Sequence, residues 1–259
     1  MQTRKIDTLT LHYDASQQQA ADLATSSLEQ SINMIAEQWQ LKVPDDCHCY
    51  IMTQWPRFLF QSAPLSRKLL FPVLLPLYAL SIPKQWPQIG GWHVQYGSRH
   101  VVGVKPPAML DLEQQSIGRE IFVPEERSEE KFKQVICHEL THACSAQLQL
   151  PAWLYEGLAM LSVEKQFNKQ TVKRASIGLL SNPNDENDAT RVMLQTYVRG
   201  YWLARYLDEE HPDLLRSFLK NPMQQDELEN EIAGVLNIDH TKPFWEEADK
   251  LLAAHYQTN

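Results

Sequence analysis

The sequence predicts an α+β protein, with a small mixed β-sheet and its helices in the N-terminal part and a mainly helical C-terminal part. Three observations carry this. Leu9, Leu11 and Tyr13 alternate with polar residues, as in a half-buried strand. A helical pattern and a second apolar run, Tyr50–Thr53, follow, so the chain opens as β-α-β. The runs Gly91–Tyr96 and His100–Val104 are bracketed by Gly90-Gly91, Gly97-Ser98 and Pro106-Pro107, which marks them as strands. After Pro124 the apolar period becomes helical and stays so. The change divides the chain into residues 1–128, an α+β part, and 129–259, a helical part.

Taken in order, the first helix spans Ser16–Leu41, where Leu28, Ile32, Ile35 and Trp39 recur at helical spacing and Asp14 and Ser16 are candidate caps. The most apolar stretch, Leu69–Leu80, contains Pro72 and Pro76 and is too short to span a bilayer. It reads as a core segment, with an interfacial patch as the alternative. Arg119–Val123 reads as a short strand stopped by Pro124. Ser128 with Glu129 and Glu130 behind it suits a helix start, because acids favour the positive end of the helix dipole. Phe132, Val135, Ile136, Leu140, Ala143 and Cys144 carry that helix to about Leu148, and Pro151 breaks it. A second helix is expected over Ala152–Phe167, a polar loop over 181–189, and further helices over Met193–Glu210, from Pro212, and over Asp226–Leu236 and Pro243–Tyr256.

Composition removes several classes of function. With 259 residues, 43% hydrophobic and 22% charged, the chain has ordinary globular composition, and bulk disorder is not expected. There are nine glycines and neither of the usual glycine-rich phosphate cradles, so nucleotide binding loses its main support. The net charge is −8, and no basic run with interleaved aromatics is present, which speaks against a nucleic-acid partner. Met1–Thr10 has no apolar segment of the secretory kind, and four cysteines in such a chain read as reduced thiols, so a cytoplasmic location is expected. Cys137 and Cys144 read as packed helical residues, and Cys47-His48-Cys49 as strand residues rather than a soft metal corner.

The strongest chemical signal is His138-Glu139-Leu140-Thr141-His142, an H-E-x-x-H inside a helical pattern. Histidines at i and i+4 project from one helix face, so two imidazoles can hold one Zn²⁺. Glu139 is offset by about 100° and can stand beside a water at the metal without ligating it. By chance such a motif arises in roughly two chains per hundred of this composition, and a catalytic zinc needs a third ligand and an open position. Glu156 can be that ligand, since the chain between it and His142 is long enough to end one helix, turn at Pro151 and begin another. Gly157 follows directly. Glycine in a helix costs about 1 kcal/mol relative to alanine, and close approach of two helices at a metal would compensate.

The H-E-x-x-H, followed by Leu150-Pro151-Ala152-Trp153-Leu154-Tyr155-Glu156-Gly157-Leu158-Ala159, resembles the P-x-W-x-x-E-G-x-A segment of gluzincin metallopeptidases of the MA-like group, including minigluzincins. Thr196–Leu207 resembles the tyrosine-bearing helix of that group, and the resemblance covers about Phe132–Leu219. It implies a zincin-like fold with an active-site cleft between the two parts, and a peptidase acting on peptide or protein substrates. His138, His142 and Glu156 would bind one Zn²⁺, and Glu139 would act as general base and then acid. Tyr197 would aim its hydroxyl at the oxyanion of a tetrahedral intermediate, with Tyr201, one turn on, as the alternative. An edge strand would hold an extended substrate; Val101, Val102, Gly103 and Val104 are preferred for it over Arg119–Val123. Thermolysin-like members carry an aspartate four residues after the glutamate ligand to orient a histidine; here that position is Met160. His93, His100 and His211 read as surface or core residues, though His100 or His211 could line a cleft. The other functional classes are a zinc-binding regulatory module of the same fold, against which the intact Glu139 argues, and a zinc hydrolase of a non-peptide substrate. No membrane span is expected, and the oligomeric state is not indicated.

Overall fold

A computed structural model describes every residue except 88, 111–117, 182–188, 240 and 258–259, so the expected polar loop at 181–189 falls almost wholly outside the described residues. The chain divides into two compact units, Met1–Gln114 with Pro124–Cys144, and Gln115–Val123 with Ser145–Asn259.

The first unit is built on a five-stranded mixed sheet. β1 (Gln2–Ile6) and β2 (Leu9–Tyr13) form an antiparallel hairpin whose turn holds Asp7 at φ 51°, a left-handed conformation that aspartate tolerates. α1 (Gln18–Trp39) then returns the chain to β3 (Asp46–Ile51), which runs parallel to β2, giving the expected β-α-β. Asp14 makes no cap bond to the short 3₁₀ turn that precedes α1; its carboxylate accepts both guanidinium nitrogens of Arg57, at 2.6 and 2.7 Å. Two helices follow, α2 (Trp55–Ser62) and α3 (Leu65–Gln85), then β4 (Gly91–Tyr96) and β5 (Arg99–Val104).

The sheet order is β1-β2-β3-β5-β4. β5 is therefore an interior strand, parallel to β3 on one side and antiparallel to β4 on the other. Val101–Val104 was expected to be a substrate-holding edge, and this is corrected: both of its sides are already paired, and the outer strands of the sheet are β1 and β4. The second choice also fails as a strand, because Gly118–Ile121 forms a helical turn, α4, and only Phe122 makes an isolated bridge, to Val172.

Helices cover both faces of the sheet. α1 lies on one, and α5 (Ser128–Ser145) packs with it, Ser27 donating to the Lys133 carbonyl at 3.5 Å. Inward residues Leu9, Leu11, Cys49, Val102, Leu28, Ile35, Phe132 and Ile136 are fully buried here. The opposite face holds Tyr50 and Val101 against Phe58 and Leu59 of α2 and Ile82 of α3. α3 was expected as core from Leu69 to Leu80, and this too is corrected. Only one side of the helix packs, and Leu69, Val73, Leu77 and Leu80 lie exposed. Pro72, Pro76 and Pro83 stand inside the helix. Each removes a backbone donor, which is why local rules do not read a helix there.

The second unit is helical. α6 (Ala152–Phe167) pairs with α7 (Ala189–Glu210), and α8 (Pro212–Phe218), α9 (Gln225–Leu236) and α10 (Phe244–Gln257) complete it. At the α6–α7 crossing two glycines face each other. A Cβ on Gly157 would stand 2.1 Å from the Gly200 carbonyl oxygen, and one on Gly200 2.0 Å from that of Trp153. Side chains at either position would force the backbones apart. The helix glycines thus have the reason expected, close approach, but the partner of Gly157 is α7.

Candidate metal centre

α5 begins as its sequence dictates, with Glu129 and Glu130 in the first turn. Phe132, Ile136, Cys137, Leu140, Ala143 and Cys144 form its buried face. That burial fixes the rotation of the helix and so the direction of the neighbouring face. His138 and His142 stand one turn apart on that face, their rings perpendicular (87°) with centroids 4.6 Å apart and their Nε2 atoms at 3.0 Å. Glu139 is 9% exposed. Glu156 lies on α6. A nitrogen from each histidine and a carboxylate oxygen of Glu156 all lie within 4.8 Å of one another, the one such grouping among the described residues that could hold a metal ion.

The donor set tests well against zinc. Two imidazoles and one carboxylate are the ligand complement of open catalytic zinc sites, in which a fourth position takes water or substrate. Two nitrogens bound tetrahedrally at about 2.0–2.1 Å stand roughly 3.3 Å apart, so the 3.0 Å between the two Nε2 atoms needs only a small adjustment.

The edge strand β4 runs directly past this face. A Cβ built on Gly91 would fall 2.4 Å from Cγ and 2.6 Å from Oε1 of Glu139, so glycine is what lets the strand approach the carboxylate. Two residues on, His93 stacks on His100 with centroids 5.6 Å apart and planes 11° off parallel. Burial, and then the neighbouring His142 and His100, push the His93 pKa down to about 3, so it is neutral at pH 7. Neither Gly91 nor His93 was singled out from sequence for this site. The signal was faint: a Gly-Gly pair opening a strand, with a histidine at the inward position. His211 precedes α8 and its ring lies 6.0 Å from Tyr206.

Other expected residues sort as follows. Tyr197 on α7 is half-buried, its ring edge-on to Phe122 at 6.1 Å. Tyr201 is fully buried, and its hydroxyl bonds Glu164 and accepts from Arg205 at 3.2 Å, so it is committed to an internal network and is a poor oxyanion donor. Burial and Glu164 also raise its pKa. Met160 is buried and offers no carboxylate. The four cysteines are free and buried, and burial pushes the Cys47 and Cys137 thiols up to about 12. Cys47 and Cys49 share one face of β3 while His48 points to the other, where it bonds Asp46 at 2.7 Å and His12 at 2.8 Å. Strand alternation thus prevents this trio from converging on one metal.

No protein-family model matches the chain, and no curated protein matches it in sequence.

Proposed function

We infer that the protein is a zinc-dependent metallopeptidase of the gluzincin kind. The grouping of His138, His142 and Glu156 within 4.8 Å, with Glu139 adjoining on α5, is the observation that carries this. A zinc ion held there would supply Lewis acidity and bring the pKa of water toward 7. Glu139 then acts as the base that takes the proton from water and returns it to the leaving amine. An extended peptide adds to the outer side of β4, an end strand of the sheet among the described residues, by backbone hydrogen bonds, passing Gly91 and thus the Glu139 carboxylate. β4 replaces Val101–Val104 in this role. Tyr197 is the oxyanion donor, a part worth ~2.7–4 kcal/mol in comparable sites. Four buried free thiols fit a reducing, cytosolic setting.

The test is metal analysis joined to a peptide-library cleavage screen on the full chain. We expect about one zinc per chain and cleavage that a chelator removes and zinc restores. Glu139→Gln should keep the metal and lose turnover. A protein without zinc after mild preparation would sink the reading. Zinc with no cleavage of any peptide would move the weight to a zinc-binding module.

A further inference from the structure

α3 turns an apolar ridge to solvent. Leu65, Leu69, Val73, Leu77 and Leu80 recur at intervals of three and four and are 74%, 75%, 72%, 63% and 72% exposed. Leu70 (51%) and Phe60 of α2 (45%) widen it. The opposite side of the helix, Phe71, Tyr78 and Ile82, packs on the sheet. Proteins rarely leave so continuous an aliphatic surface in water unless something covers it.

Charge says what. Residues 47–110 contain not one Asp or Glu, in a chain whose net charge is −8; of their six basic residues, Lys105 is buried and Arg57 pairs with Asp14. α3 itself carries Arg67, Lys68 and Lys84. Arg67 is exposed, and the Lys68 ammonium lies 5.8 Å from the Phe60 ring centroid, beside the ridge. An aliphatic ridge beside cations is complementary to a surface that is apolar within and anionic at its rim. We propose that α3 is a membrane-surface helix that seats the protein on bilayers containing anionic phospholipid. The helix lies on the bilayer and does not cross it: among the described residues, no helix is long and apolar enough to span one. A second copy is a worse occupant. Two α3 helices packed along their ridges bring the cations Arg67 and Lys68 into the seam, with no acid on the helix to offset them. A protein partner is also less suited, because the ridge itself is leucine and valine, without the Trp and Tyr anchors that dominate such interfaces.

The test is co-sedimentation of the full chain with vesicles of phosphatidylcholine alone and of phosphatidylcholine with about one third phosphatidylglycerol. Binding is expected to the mixed vesicles only, and to weaken at high salt. Arg67→Ala/Lys68→Ala should lower the partition coefficient roughly thirtyfold, about fivefold per basic residue near the surface. Leu69→Gln/Leu77→Gln, both at exposed positions, should lower it at least tenfold with an unchanged thermal midpoint and circular dichroism. No binding to mixed vesicles, equal binding to both kinds, or binding indifferent to Leu69→Gln/Leu77→Gln would overturn the proposal. So would a dimer in sedimentation velocity without lipid that the leucine substitutions dissolve, which would make a second copy the occupant.

Discussion

Glu139 and Gly91 show two kinds of dependence at the scale of single residues. Glu139 stands beside two ligand candidates because of its own helix. Its position follows from one residue of offset, about 100°, and was legible in sequence. Gly91 acts through space. A β-carbon there would enter the Glu139 side chain at 2.4 Å. Gly91→Ala should therefore leave zinc content intact and lower kcat/KM by about a hundredfold, the scale expected when a reacting group is displaced by about 1 Å. Metal analysis beside steady-state kinetics on a cleaved peptide checks it, and unchanged kinetics would show that the carboxylate is free to shift. The thiols give a second prediction. Cys47 and Cys137 are held protonated by burial. A thiol reagent should modify none of the four buried cysteines in the native protein at pH 8 and all four in denaturant. Rapid native labelling would reopen redox control of the site.

Elements divide along similar lines. α5 and α6 were readable because each carries its own signals. Ser128 with two glutamates opens one and Pro151 separates them, while apolar residues at helical spacing set the buried face. α3 was not readable as an element, because three prolines argue locally against a helix that packing on the sheet nonetheless sustains. The glycines of α6 and α7 are intermediate. Their cost in a helix signalled a close approach, but not which helix would make it. With carbonyl oxygens 2.1 and 2.0 Å from where the two Cβ atoms would stand, Gly157→Ala and Gly200→Ala should each destabilise the protein by about 3 kcal/mol or more, the upper end for overpacking. Urea unfolding is the measurement; a shift under 1 kcal/mol would mean that the helices separate easily.

For the whole molecule, acid is the informative variable. Burial lowers the pKa values of His12, His48 and His100 on the sheet, His12 to about 4. For His12 the neighbouring His48 and Arg99 add to the effect, whereas Asp46 partly opposes it for His48. In the unfolded chain these rings titrate near 6.5. Between that value and their lowered folded values the unfolded state binds more protons, so their contribution is complete above pH 6.5 and is lost as pH falls toward 4. Chelator-treated protein should thus unfold at progressively lower urea from pH 7 to 4.5, and His12→Gln should flatten the slope. An unchanged slope would exclude His12 as a source. Zinc at a hundred times its dissociation constant should in turn raise stability by about 2.7 kcal/mol, read as a shift in Tm that His142→Ala abolishes. The sequence by itself determined what depends on neighbours along the chain: the β-α-β opening, the helices after Pro124, and a pair of imidazoles on one face of α5 with a carboxylate offset beside them. Tertiary structure alone decided which strand is the edge, which helix Gly157 meets, and that the ridge of α3 faces outward. Those are pairings between distant segments, and they are selected by what each segment can bury against the others, which no local period encodes.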